Sequence, residues 1–255
     1  MTTTRVLDRA ARAVSFPAPR PRAAIRLFCL PYAGGGSVEY QQWADLLPDT
    51  VEVVPVHLPG RERRFREAPH AAMDGLVTEL ADSLTPHLGR PYALFGYSMG
   101  SWVAFELARE LRRRGAPAPR ALLAAAAGAP DGPRAPAVHD APDEELVAWM
   151  RRLGGSGGLP LDDPRLLAVI LPRVRADLRV TETYLPAAEA PLACPLVVYT
   201  GDGDEIVSPG EALLWGPHTG GDFRLRVLDG DHFFLHERRA ELLGHIIRDI
   251  GDLEV

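Results

Sequence analysis

Residues 96–100 read Gly-Tyr-Ser-Met-Gly, a serine between two glycines at the spacing G-x-S-x-G. The run Pro91 to Phe95 before it is apolar and aromatic, with the length of a buried strand. From Ser101 to Leu111, apolar residues recur three and four apart, as one face of a helix requires. A strand, a sharp turn and a helix in that order hold a serine in strained backbone at the top of a sheet. Glycines are needed on either side because a Cβ there would strike the neighbouring strand or helix. Ser98 then stands over the positive end of the following helix, poised as a nucleophile. An ordinary turn with an incidental serine satisfies the bare pattern too, and it is the flanking elements that favour the chemical reading.

An alcohol of ordinary pKa attacks poorly, so Ser98 needs a base, and the base needs a carboxylate to orient it. On folds that carry this turn the partners follow in the order serine, acid, histidine. His232 is the preferred base among eight histidines, because it comes directly after the last apolar strand, in the turn Gly230-Asp231-His232. His236 is its nearest rival, placed in the closing helix. For the acid, Asp204 follows the apolar run Pro195 to Thr200 by a short turn, and Asp202 competes with it. Either carboxylate also suits a helix cap.

The remaining requirement is a pair of backbone N–H groups for a developing oxyanion. Met99, next after the serine, supplies one. Ala33 is the best choice for the other, in the glycine-rich turn Pro31 to Ser37 that follows the first strand. Losing one such donor costs about 3–4 kcal/mol of transition-state stabilisation. The same turn lacks both G-x-G-x-x-G and the P-loop pattern, which disfavours a nucleotide site.

The elements that must carry these groups alternate. Strands are expected over Ala24 to Leu30, Val51 to Val56, Pro91 to Phe95, Ala121 to Ala127, Pro195 to Thr200 and Phe223 to Leu228. Helices are expected near Val38 to Leu47, Met73 to Leu88, Ser101 to Leu111 and Glu237 to Ile250. Alternation of this kind marks an α/β protein with a mostly parallel sheet covered on both faces. The alanine-rich run has helical propensity, but its shortness and its flanking Pro119 and Gly128 favour a strand. The charged stretch His57 to Glu67 reads as a solvated loop. From Asp131 to Pro191 the alternation stops. Two helical stretches, Asp143 to Leu153 and Pro164 to Tyr184, flank the run Gly154 to Gly158, and Pro172 should kink or divide the second. A helical insertion with a glycine hinge reads as a lid, and a purely structural helical pair fits the same pattern.

At 255 residues, 46% apolar and 24% charged, the chain suits one α/β domain with an insertion. The division expected is a disordered leader over 1–22, a core over 23–130 and 192–255, and a lid over 131–191. A net charge of −6 argues against nucleic acid as a partner. Every basic residue counted in it is an arginine. Cys29 and Cys194 are far apart, each in or beside an apolar run, and read as buried thiols of a reducing compartment. No apolar stretch spans a membrane and no secretory block opens the chain, so a cytoplasmic protein is expected.

Four stretches together carry a resemblance: Phe28 to Gly35 (FCLPYAGG), Leu58 to Arg64 (LPGRERR), the Ser98 turn with Tyr97 and Met99, and Gly230 to Leu235 (GDHFFL). In this order they resemble the type II thioesterases, free-standing members of the α/β-hydrolase superfamily that accompany polyketide synthases and nonribosomal peptide synthetases. The resemblance runs from about Leu27 to the closing helix. It implies Ser98 as nucleophile, His232 as base and Asp204 as acid, the last position of the G-x-x-D turn Gly201 to Asp204. It also implies Met99 and Ala33 as oxyanion donors. The implied reaction removes acyl groups from the phosphopantetheine arm of an acyl or peptidyl carrier domain, with no metal or dissociable cofactor, and edits stalled or wrongly primed chains. An arginine-rich rim near the pocket would help dock an acidic carrier. A monomer is favoured. The alternatives are a small-molecule carboxylesterase on the same fold, a non-catalytic scaffold that binds carriers, and a chain-terminating thioesterase.

Overall fold

Six short runs of the chain form one parallel sheet, and the reason lies in how their side chains divide. The computed structural model describes residues 12–153 and 161–252. Its strands are β1 (Ile25–Leu30), β2 (Val51–Pro55), β3 (Tyr92–Tyr97), β4 (Leu122–Ala125), β5 (Leu196–Gly201) and β6 (Phe223–Leu228). They lie in the order β2-β1-β3-β4-β5-β6, and every pairing is parallel. Successive residues point to opposite faces. Leu27, Cys29, Val53, Ala93, Phe95, Leu123 and Tyr199 join one core, while Phe28, Leu30, Val54, Leu94, Ala124 and Val198 join the other. Both sets must be apolar, so the strands read as unbroken apolar runs rather than alternating ones.

Amphipathic helices cover each face. The helices α2 (Met73–Leu84) and α3 (Met99–Arg113) lay Leu76, Leu80, Val103 and Leu107 on one side. On the other, α1 (Val38–Gln41) and the 3₁₀ turn Gln42–Asp45 bring Tyr40 and Trp43. There α8 (Arg239–Gly251) adds Leu242, Leu243 and Ile246. Each such side chain, wholly removed from water, contributes about 1.5–3 kcal/mol. Chain direction reverses between β1, which leads outward to β2, and β3, which leads the other way. Parallel sheets bind ligands beyond the carboxyl ends of their strands at such a point. The loops after β1 and β3 carry Ala33 and Ser98.

The alanine-rich run is a strand, as expected, because small side chains are required beside the serine turn: Ala124 pairs with Gly96 and Ala125 with Tyr97. The insertion forms α4 (Asp143–Arg152) and α5 (Pro164–Glu182). Leu146, Val147, Met150, Ile170, Leu171, Val174 and Leu178 make a third, smaller core that rests on Ala33. The glycine run Gly154 to Gly158 lies outside the described residues. Pro172 does not divide α5, which continues through it. Ile170 and Leu171 before it and Val174 and Leu178 after it are buried in the same small core, holding both halves in line.

Two further expectations give way. Residues 12–22 are not a loose leader: Val14 bridges Val56 and is buried, and the Arg20 guanidinium donates to the carbonyls of Ala44, Leu47, Pro48 and Val51. Residues 1–11 of that leader lie outside the described residues. The charged loop after β2 is solvated only in part, at Arg63, Phe65 and Arg66. Arg61 and Arg64 are 4% and 1% exposed, Arg61 held by the buried Asp177 and the Gly35 carbonyl and Arg64 by Glu67, Glu79 and the His57 carbonyl. Among the described residues no helix is long and apolar enough to cross a membrane. Both cysteines are free and buried, and burial pushes the Cys29 thiol well up and the Cys194 thiol to about 11.

Candidate active site

The turn between β3 and α3 is tight enough to exclude any side chain but hydrogen at two places. A Cβ on Gly96 would lie 2.1 Å from the Gly100 carbonyl oxygen, and one on Gly100 2.3 Å from the Leu30 carbonyl oxygen. Ser98 itself has φ 51° and ψ −117°, a conformation that costs a residue with a side chain roughly 1–3 kcal/mol. The sheet holds it there. Ser98 N–H donates to Ala125 O at 2.7 Å, and Ser101 Oγ accepts from Ala125 N–H at 3.0 Å.

At this turn His232 meets side chains 134 and 28 residues away in the chain. Its Nε2 is 3.2 Å from Ser98 Oγ, and its Nδ1 is 2.9 Å from Asp204 Oδ2. A carboxylate can only accept, so Nδ1 carries the imidazole proton and Nε2 is free to take the serine's. The other oxygen of Asp204, Oδ1, accepts from the N–H groups of Ile206 and Val207 at 2.8 and 3.2 Å. Asp204 thus ties down its own turn and the imidazole together, and the next helix, α6 (Pro209–Leu213), is capped separately by Ser208. Its competitor Asp202 accepts instead from Gly230 N–H at 3.0 Å, fastening the Asp204 loop to the His232 loop. His236 lies in the short helix α7 (Phe234–Glu237) and faces Glu39, 3.4 Å away.

Tyr97, beside the serine, braces the histidine from behind. Its hydroxyl donates to His232 O at 2.6 Å and accepts from Leu235 N–H at 3.3 Å. Burial holds that phenol well above its ordinary pKa, so it stays a donor. Met99 is the first residue of α3 and its N–H has no partner within the helix. Met99 and Ala33 line one cavity with Ser98 and His232.

The loop after β2, read as solvated surface, turns out to support the Ala33 turn. Arg61 donates to Gly35 O and to Asp177 Oδ1, both at 2.7 Å, and Asp177 Oδ2 accepts from Gly34 N–H at 2.8 Å. One buried ion pair therefore binds the loop after β2, the turn after β1, and α5. Glu62, at φ 48°, accepts from Ser37 N–H at 2.7 Å and bonds His57 Nδ1 at 2.8 Å. Burial works to raise the Glu62 pKa, yet hydrogen bonds from His57 and Ser37 leave it below the ordinary value. Arg64 is held by Glu67, Glu79 and the His57 carbonyl. Nothing in the sequence linked Arg61 to Asp177, which lie 116 residues apart. The cluster of arginines was visible, but its burial was not.

The cavity beside Ser98 has a volume of about 200 Å³. Trp102, Ala126, Ala127, Val174, Leu178 and Val207 give it an apolar wall, and Trp149 and Met150 reach it from α4. Such a site suits the attack of Ser98 Oγ on an acyl carbon whose chain is apolar. His232 Nε2 lies within hydrogen-bond distance of that oxygen, and Met99 and Ala33 line the same cavity.

The chain matches the family model described as "Thioesterase domain" over residues 25–251. Thioesterase PikA5 of Streptomyces venezuelae is 36% identical over 236 residues, covering 92% of this chain and 82% of that protein. Among solved structures, the RedJ thioesterase of the prodiginine biosynthetic pathway in Streptomyces coelicolor superposes with a TM-score of 0.85 at 40% identity, covering 90% of this chain and 87% of that one. The type II thioesterase BorB of the borrelidin biosynthetic cluster gives 0.84 at 39%, covering 92% and 96%. The strand order, the serine turn and the match across nearly the whole chain agree: this chain belongs to the thioesterase family of the α/β-hydrolase fold and is a hydrolase of thioesters.

Proposed function

We propose that the chain removes acyl groups from the phosphopantetheine arm of acyl or peptidyl carrier domains in a modular synthase, clearing stalled or wrongly primed units. Ser98 is the nucleophile, His232 the base and Asp204 the orienting acid, with the N–H groups of Met99 and Ala33 as oxyanion donors. Attack by Ser98 Oγ on the thioester carbon forms a C–O bond as its proton passes to His232 Nε2. Collapse of the tetrahedral intermediate breaks the C–S bond, and the imidazolium returns the proton to the departing thiolate. Water activated by His232 then cleaves the acyl-serine. No metal or dissociable cofactor enters these steps. The helices α4 and α5 serve as the lid over the acyl chain, and the enzyme acts in the cytoplasm beside its synthase.

The observation that carries this reading is the row Ser98 Oγ, His232 Nε2, Nδ1, Asp204 Oδ2 beside a cavity with a mostly apolar lining. It is tested by rates on an acyl-loaded carrier protein and on a free ester of the same acid. A marked preference for the carrier thioester is expected, and preference for the free ester defeats it. Fluorophosphonate should label the wild type once and leave Ser98→Ala unlabelled.

A further inference from the structure

One wall of the acyl chamber stands on α3, a helix packed against the sheet. Trp102 is the fourth residue of α3, whose first residue, Met99, follows Ser98 directly. Side chains on a helix lean toward its N-terminus, so the indole tilts back toward the serine. It lines the cavity together with Ser98 and Met99.

Three contacts fix this ring. Its Nε1–H donates to Gly128 O at 2.8 Å, fastening it to the segment after β4. The Arg134 guanidinium sits 4.7 Å from the ring centroid, and the Tyr184 ring lies 6.1 Å away at 42°. Both of these are fastened in turn. Arg134 donates to the carbonyls of Thr181 and Pro130 at 2.7 and 2.6 Å, and the Tyr184 hydroxyl donates to Glu106 Oε1 at 2.5 Å. Glu106 is itself paired with the buried Arg109. To swing the indole aside, an acyl chain would have to break a hydrogen bond and displace a cation and a ring whose polar groups are already engaged.

We propose that Trp102 is the end wall of the acyl chamber and restricts hydrolysis to acyl groups of a few carbons. The proposal rests on Ser98 being the acylated residue. A chain attached there and running along α3 meets the indole, which lines the same cavity as Ser98. Each methylene that a hydrophobic pocket accepts or refuses changes kcat/KM by about tenfold or more.

The test is kcat/KM on one carrier protein loaded with acetyl, butyryl, hexanoyl, octanoyl or decanoyl groups. The wild type should be fastest on the short members and fall steeply toward decanoyl. Trp102→Ala and Trp102→Leu should raise the octanoyl-to-acetyl and decanoyl-to-acetyl ratios of kcat/KM by about tenfold or more. Trp102→Phe, which keeps a ring in place, should stay close to the wild-type profile. Stoichiometric fluorophosphonate labelling identifies variants that remain folded, and Trp102→Leu carries the test if Trp102→Ala does not. An unchanged profile in the folded variants overturns the proposal, as does a wild type that hydrolyses decanoyl as fast as butyryl. A wild type inert on every carrier thioester removes the functional reading beneath it, and the proposal with it.

Discussion

Among the described residues, two hydrogen-bonded rows join a serine, a histidine and a carboxylate, and they differ in everything except their hydrogen bonds. In one, Ser98, His232 and Asp204 are spaced 3.2 and 2.9 Å. In the other, Ser15 Oγ, His57 Nε2 and Nδ1, and Glu62 Oε2 are spaced 2.8 and 2.8 Å. By distance alone the second is the better triad. What it lacks is the setting. Ser15 follows Val14, which bridges Val56 beside the sheet, and its N–H donates to Pro55 O. Ser15 borders a pocket of its own, but Ser98 stands in strained backbone at a helix N-terminus, where the sheet reverses direction and the cavity lined by Met99 and Ala33 opens. The second oxygen of Glu62 holds Ser37 N–H, so the second row fastens residues 12–22 to the turn that carries Ala33. Three residue types in a row make a proton path. A strained serine, two amides and a chamber are needed to make that path useful.

Paired substitutions separate the rows most strongly. Ser98→Ala should lower kcat by about 10⁴-fold or more, while Ser15→Ala should leave kcat within about threefold, both measured on the same acyl-carrier substrate. A large loss in Ser15→Ala would mean that the second row shares in the chemistry.

The next effect concerns the support under the Ala33 turn. Asp177→Ala leaves Arg61 buried without its carboxylate and releases Gly34 N–H, which should cost about 3–5 kcal/mol in denaturant unfolding. With Ala33 no longer held, kcat should fall more than KM rises. A KM effect alone would instead assign Asp177 to substrate binding.

The smallest effect is in acid. Burial tends to raise the Glu79 pKa, but hydrogen bonds from His70 and Arg64 bring it down to about 2. A depressed carboxylate stabilises the fold above its unfolded pKa of about 4.3 and loses that contribution as pH falls toward 2. Urea midpoints followed from pH 5 to pH 2 should drop in the wild type and drop less steeply in Glu79→Gln. Equal slopes would show that the ties around Arg64 do not couple to folding.

Most of the site was legible because its parts are local. The glycines at 96 and 100, the strand before them and the helix after them are written in one continuous stretch, and steric exclusion permits few other residues there. His232 and Asp204 could be chosen from among many because each ends a recognisable apolar run. Arg61 and Asp177 carried no such signal. A charged loop and a helix look solvated until the fold shows what lies over them. The same holds for residues 12–22, whose Arg20 finds four carbonyls that only the folded loop after α1 presents.

The sequence by itself therefore determined the parallel sheet, the serine turn and the order of the groups around it, since apolar periodicity and glycine sterics act between near neighbours along the chain. Tertiary structure alone decided which of two serine–histidine–carboxylate rows faces the cavity lined by Met99 and Ala33, which arginines are buried, and where the acyl chamber meets Trp102. Those outcomes depend on distances between residues far apart in the chain, and such distances exist only once the backbone has closed on itself.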